Sequence, residues 1–251
     1  MNIAINGYGR MGKLIRNCAL ERGHSVTAVI DPFVDLPEVT SHELSIESIG
    51  SAELVIDFTI PSSALKNIEI IAQAGSNAVI GTTGWYESAD IAKKMVSDAG
   101  TGLLWSGNFS LGVNALFHLV RAAGKIMNRI PEYDSMIHEF HHSGKADSPS
   151  GTAVMLSSIM LEEIERKREI VTDSLSRKIL PEELHVSSTR GGSISGTHTI
   201  LFDSEEDTIE ITHRARNRNG FALGAVKAAE WMQGKTGFYS VDDMIESIVK
   251  N

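Results

Sequence analysis

The chain has 251 residues, 42% of them hydrophobic and 22% charged, with a formal net charge of −9. That length supports a sizeable core, in one large domain or two small ones, and the acidic balance argues against nucleic acid or an anionic membrane as a partner. A single cysteine, Cys18, excludes an intramolecular disulfide and a cysteine-based zinc site.

No leader segment and no membrane span are expected, because the first residues lack a basic region and no apolar run is long enough to cross a bilayer. A soluble cytoplasmic protein is the expectation. Residues 2–6 form an apolar run that predicts a strand, broken at Gly7, and residues 10–22 carry helical spacing through Met11, Leu14, Ile15, Cys18 and Ala19. Ser25 to Ile30 predicts a second strand, closing on Asp31-Pro32. Strand, glycine turn, helix, strand and terminal acid are the context of a dinucleotide-binding fingerprint, here Gly7-Tyr8-Gly9-Arg10-Met11-Gly12. The first glycine allows the tight turn, the second lets backbone reach a pyrophosphate, and the third permits close helix–strand packing. Asp31 is placed for the ribose hydroxyls, and a carboxylate there repels a 2′-phosphate, which predicts a preference for NADH over NADPH. Arg10 could serve either the pyrophosphate or a 2′-phosphate.

Residues 33–53 read as loop with a short helical turn. Strands are expected at 54–58, 78–80 and 103–105, and helices at 61–74 and 87–99. Alternation at this pace predicts an α/β fold built on a parallel sheet with helices on both faces. Ligands of such sheets lie beyond the carboxyl ends of the strands. Phe58-Thr59, Gly81-Thr82-Thr83 and Ser106-Gly107-Asn108-Phe109 therefore join the glycine loop and Asp31 as candidate cofactor contacts. A helix at 113–128 leads to strands at 133–141, 196–202 and 208–215, with residues 167–184 read as a charged surface excursion. Strands that follow one another without helices predict a mostly antiparallel sheet. Helices at 222–233 and 241–249, the latter capped by Ser240, complete the chain and are expected to return to the first domain. The expected fold is thus a Rossmann-type doubly wound parallel sheet with a second α+β domain on a mixed, mostly antiparallel sheet.

The chemistry concentrates between His138 and Thr152, where 15 residues hold three imidazoles, an ammonium and two carboxylates. A metal site of His138, Glu139 and His142 is one reading, although its spacing is not diagnostic of zinc. The stronger reading is an anion-binding and proton-donating site. Lys145 lies close to His141 and His142, and Ser150 can cap the following helix, leaving the N–H groups of Gly151 and Thr152 for a carboxylate or a phosphate. Histidine titrates near neutrality and can deliver a proton as a hydride arrives.

Glu139-Phe140-His141-His142-Ser143-Gly144-Lys145-Ala146-Asp147-Ser148-Pro149-Ser150-Gly151-Thr152-Ala153 closely resembles the signature of the 4-hydroxy-tetrahydrodipicolinate reductase family, long called dihydrodipicolinate reductases. The glycine loop, Asp57-Phe58-Thr59, Gly81-Thr82-Thr83-Gly84, Asn108 to Asn114 and Ile211-Thr212-His213 extend the resemblance along the chain. It implies an NAD(P)H-dependent enzyme of lysine and diaminopimelate biosynthesis, assembled as a homotetramer through the sheet of its second domain. Residues 1–109 with 219–251 would form the dinucleotide-binding domain, and 110–218 the substrate-binding and oligomerisation domain. By the family pattern His141 is the proton donor and Lys145 the second catalytic residue. His142, Lys145, Ser150, Gly151 and Thr152 would bind the small dicarboxylate substrate, and no metal is expected. Two departures stand out. Ser143-Gly144 replaces a basic pair found in well-known members, and Pro32 replaces an arginine that accompanies good use of NADPH. The competing readings are another two-domain dehydrogenase and a cofactor-binding regulator without chemistry.

Overall fold

The computed structural model describes residues 1–250, so Asn251, expected in the first domain's tail, lies outside it. The chain opens with β1 (Asn2–Asn6), α1 (Arg10–Glu21), β2 (Ser25–Ile30), α2 (Ile46–Ile49) and β3 (Leu54–Asp57). A 3₁₀ turn at Pro61–Ser63 leads into α3 (Ala64–Gln73), followed by β4 (Asn77–Ile80). A second 3₁₀ turn precedes α4 (Ala89–Ala99), and β5 (Gly102–Trp105) follows. Next come α5 (Leu111–Met127), β6 (Asp134–His141), α6 (Gly151–Glu163), β7 (Glu169–Val171), β8 (Glu183–Arg190), β9 (Thr197–Asp203) and β10 (Thr208–Arg214). The last elements are α7 (Asn219–Trp231), β11 (Gly237–Ser240) and α8 (Val241–Lys250). Two compact units result, Met1–Leu111 with the segment from Arg218 onward, and Gly112–Asn217.

The first unit holds a six-stranded sheet in the order β11-β5-β4-β3-β1-β2, with every pairing parallel. Successive strand side chains point to opposite faces, and that alternation explains the two cores. Ile3, Ile5, Leu54, Ile56, Val79 and Leu104 pack with residues of α1, α7 and α8 on one face. Ala4, Val55, Ala78, Ile80 and Leu103 pack with residues of α3 and α4 on the other. Because both faces are buried, the strands read as continuous apolar runs.

The second unit has a five-stranded sheet, order β10-β9-β6-β8-β7. It is mixed: β10–β9 and β9–β6 are antiparallel, whereas β6–β8 and β8–β7 are parallel. The parallel half comes from two strands that the pattern did not reveal. Residues 167–184, expected as a surface excursion, contain β7 and the first residues of β8, and Lys167 and Glu183 within them are buried. The Lys167 ammonium donates to the Glu183 carbonyl at 2.7 Å and lies 2.6 Å from Asp134, while Arg177 pairs with Glu183. Charged residues can be buried when they are paired in this way, so charge alone misreads the segment. β11 was also missed, since four residues between two helices give no periodicity to read. In β6 the buried positions alternate strictly. Ile137 joins the apolar core with Leu156 and Met160 of α6, Val120 of α5, Val186 and Ile200.

One contact tests how tightly the first unit is closed. Gly224 of α7 lies so near the chain at Phe109 that a Cβ would stand 1.6 Å from the Phe109 carbonyl oxygen. Gly224→Ala must therefore move backbone, and should destabilise this unit by at least about 1–3 kcal/mol. Thermal unfolding followed by circular dichroism should show a midpoint lowered by several degrees; an unchanged midpoint would show that helix and turn part freely.

Candidate active site

Two sites emerge, one in each unit. In the first, the glycine turn after β1 runs beside the chain after β3. Gly7 has φ +92°, and a Cβ on it would meet the Phe58 carbonyl oxygen at 2.3 Å. A Cβ on Gly12 would stand 2.0 Å from the Gly7 oxygen, so only glycine lets α1 start this close to β1. Around Gly9 the space is open to 4 Å. Gly9, Arg10, Met11, Gly12, Phe58, Thr59, Pro61, Gly81, Thr82 and Thr83 line a cleft of about 390 Å³, and Arg218 completes its wall. Bare backbone at a helix amino terminus with two arginines fits the pyrophosphate of a dinucleotide. Arg218 was not anticipated, and its distance in sequence from the glycine loop gave no signal.

Asp31 is buried and does more than end β2. One carboxylate oxygen accepts from the Tyr8 backbone N–H at 2.6 Å, the other from Phe33 and Val34 N–H at 2.8 and 3.0 Å. It clasps the glycine loop to the next turn. Asp57, fully buried and unanticipated, accepts from Asn6, Asn67, Thr82 and Thr59 at 2.7–2.9 Å, tying the ends of β1, β3 and β4 to α3. Ser106 and Asn108 form a self-bonded turn after Trp105, next to Gly107, and the Phe109 ring is in the core, 5.8 Å from that of Phe58. Among the expected cofactor residues, Phe109 thus presents its side chain to the core.

The second site grows out of the core of the other sheet. One row of facing residues, Val186–Ile137–Ile200–Ile211, is apolar; the next, Ser188–Glu139–His198–His213, is polar. His141 and Arg190 stand one step further along β6 and β8. Glu139 is completely buried. Its Oε1 accepts from Ser150 N–H at 2.9 Å, Ser188 Oγ at 2.7 Å and Arg190 Nη2 at 2.8 Å. Burial alone would push this carboxyl up, but the hydrogen bonds from Ser150, Arg190 and Ser188 outweigh it and hold it at about 2. Its Oε2 faces His141 Nδ1 at 2.7 Å and His198 Nε2 at 3.7 Å.

Burial lowers His141 below the ordinary imidazole value, and Lys145 and Arg190 add to that, while Glu139 opposes it. Burial, with the neighbouring His141, takes His198 down to about 4. The Nε2 edge of His141 lies against Gly196, where a Cβ would stand 2.9 Å away; Gly196 has φ +144°. His142 to Lys145 form a turn closed by Lys145 N–H donating to the His142 carbonyl at 3.1 Å, and His142 is half-buried. The Lys145 ammonium is held by both oxygens of Asp147, at 2.7 and 2.9 Å. Ser150 caps α6 by accepting from Ala153 N–H, and its Oγ is 3.1 Å from His198 Nε2. Gly151 and Thr152 form the first turn of α6, where backbone N–H groups have no partner within the helix.

The three residues of the metal reading do not converge. His138 points to the opposite face of β6, against Ser187 and Phe140. A different set, Glu139, His141 and His198, brings donor atoms within 4.8 Å of one another. Arg190 already places positive charge on that carboxylate, which disfavours a cation there. Ser188, Arg190, Gly196 and His198 escaped the sequence reading as site residues, and Glu139 entered it only through the metal reading, although the alternation of β6 puts Glu139 and His141 on one face.

Both halves of the chain have counterparts among known proteins. Residues 1–109 match the family model for the amino-terminal part of dihydrodipicolinate reductase, and residues 112–245 match that for the carboxy-terminal part. A 4-hydroxy-tetrahydrodipicolinate reductase of Christiangramia forsetii is 36% identical over the whole of both chains. One from Archaeoglobus fulgidus is 35% identical, over 98% of this chain and all of the relative. Among solved structures, the dipicolinate-bound dihydrodipicolinate reductase of Paenisporosarcina sp. TG-14 shares the fold, with a TM-score of 0.80 at 21% identity, covering 97% of this chain and 98% of that one. A putative myo-inositol dehydrogenase of Sinorhizobium meliloti, at TM-score 0.55 and 15% identity over 94% of this chain and 91% of that one, shares the general architecture only. With both halves of the chain matched in order and full-length relatives above a third identical, the chain belongs to the dihydrodipicolinate reductase family.

Proposed function

We propose that the protein reduces 4-hydroxy-tetrahydrodipicolinate to tetrahydrodipicolinate with NAD(P)H, a step of lysine and diaminopimelate biosynthesis. His141 is the proton donor, Lys145 the second catalytic residue, and His142, Ser150, Gly151 and Thr152 bind the substrate carboxylates. The observation that carries this reading is the imidazole of His141 backed by a buried, ionised Glu139 whose other oxygen is bonded to the first residue before α6. A proton donor and an anion-binding helix terminus are thereby built on one carboxylate. When bound, the reduced nicotinamide supplies hydride to C4 of the ring as water is lost; the chain's own share is the proton and the binding. Gly7 to Gly12, Asp31, Phe58, Thr59, Gly81 to Thr83 and Ser106 to Asn108 hold the cofactor, with Phe109 supporting them from the core. The same reading makes the protein a cytoplasmic homotetramer assembled through the second sheet; among the described residues no helix is long and apolar enough to cross a membrane.

The direct test is a coupled assay in which aspartate semialdehyde, pyruvate and a synthase generate the unstable substrate and NADH oxidation is followed optically. His141→Ala should lower turnover by about 10²–10⁴-fold and leave NADH binding intact; normal turnover would exclude the assigned role. Lys145→Ala should weaken both turnover and substrate binding.

The acidity of His141 gives a second test. The protonated imidazole is the active form, and in the unliganded protein burial lowers its pKa below that of an ordinary imidazole. The profile of kcat/KM, which reports the free enzyme, should therefore fall with rising pH at a lower pH than an ordinary imidazole would give. A bound dianion favours the imidazolium, so the corresponding fall in kcat should come at higher pH. Coincident profiles would argue against a dianion beside His141. Comparing NADH with NADPH at equal concentration tests Asp31 and Pro32, with NADH expected to be preferred; a strong preference for NADPH would assign Arg10 or Arg218 to a 2′-phosphate. Gly196→Ala should cut turnover without affecting NADH binding, since the added methyl would press on His141 Nε2.

A further inference from the structure

Resting on His141 as the donor, we infer that Glu139 is a positioning residue that fixes which nitrogen of that imidazole delivers the proton and joins it mechanically to the first turn of α6. An ionised carboxylate only accepts hydrogen bonds. Oε1 already receives three donors, from Ser150, Ser188 and Arg190, and Oε2 is left facing His141 Nδ1 at 2.7 Å. The two atoms meet off the line of an ideal hydrogen bond, yet an ionised oxygen this close repels a lone pair on Nδ1, which favours the Nδ1–H tautomer of the neutral ring. Nε2 is then the atom that gains and gives the catalytic proton, on the edge that Gly196 leaves uncrowded. Ser150 donates its N–H to the same carboxylate and caps α6 with its hydroxyl. Imidazole and helix terminus therefore cannot shift independently.

The groups facing His141 come from every neighbouring element. They are Glu139 on β6, Arg190 on β8, His198 on β9, His213 beyond it on β10, and Lys145 with Asp147 in the loop before α6. Glu139 is the acid in contact with the ring. Its charge favours the imidazolium, whereas Arg190 and Lys145 disfavour it. Removing that charge must lower the pKa of His141 further and release the Nδ1–H preference.

The test combines kinetics with histidine-selective ¹⁵N spectroscopy of the full-length protein, His141 being identified by the signals lost in His141→Ala. In the unmodified protein His141 should be Nδ1-protonated when neutral; finding the Nε2–H tautomer would overturn the inference without recourse to any variant. Glu139→Gln keeps an oxygen for the Ser150 N–H, so the substrate KM should change less than about threefold while kcat falls on the order of 10²-fold. The fall of kcat/KM with rising pH should also move to lower pH. A loss of kcat with that pH position unchanged would make Glu139 a structural residue only and refute the proposal. If instead His141→Ala turns over normally, the donor assignment is wrong, yet the tautomer measurement still decides whether Glu139 orients the ring.

Discussion

A carboxylate with no exposed surface, Glu139, sets the terms for the second half of this protein. Burying a charge is costly unless it is paired and hydrogen-bonded, and here strands β6 and β8 and the residue before α6 converge to satisfy it. Ser188 and Arg190 are presented by the neighbouring parallel strand at the register of Glu139 and His141. The polar row is laid directly beside an apolar one, so the packing that buries Ile137, Val186 and Ile200 also buries the acid. Low dielectric around the cluster strengthens each bond within it. The same environment explains why His198, pressed between the acid, His141 and Ser150, is kept neutral.

The first unit uses a related device for a different end. Asp57 is as thoroughly buried as Glu139, but its partners are amides and hydroxyls from Asn6, Thr59, Asn67 and Thr82 rather than cations. What it organises is shape, since it holds three strand ends and the start of a helix so that the intervening loops can be thin. Asp31 does the same at the sheet's other side, with three backbone N–H groups on its carboxylate. A carboxylate has about four lone-pair sites, so this commitment still leaves room for one ribose hydroxyl. Small side chains at the strand exits then give the cleft its depth.

The Lys145–Asp147 pair is of another kind. Asp147 is more than half exposed, and an ion pair in contact with water contributes little to stability. A negatively charged ligand can therefore compete for that ammonium at small cost. Arg190 has no such freedom, because its guanidinium also donates to the Asp147 carbonyl and is largely covered.

By itself the sequence determined the layered first unit, the glycine turn and the histidine–lysine block, because each is written in local terms: short continuous apolar runs alternating with helical periods, glycine spacing, and a run of reactive side chains within a few residues of one another. Its silence over β8, β11 and the burial of Lys167 and Glu183 has one cause. Those segments are short or polar, and what stabilises them is supplied by partners elsewhere in the chain. Tertiary structure alone decided which side chains surround His141. Glu139 meets Arg190 across 51 positions of sequence, and Gly196 matters only because folding brings it against an imidazole. Pairing of strands, not proximity along the chain, sets which groups that ring faces.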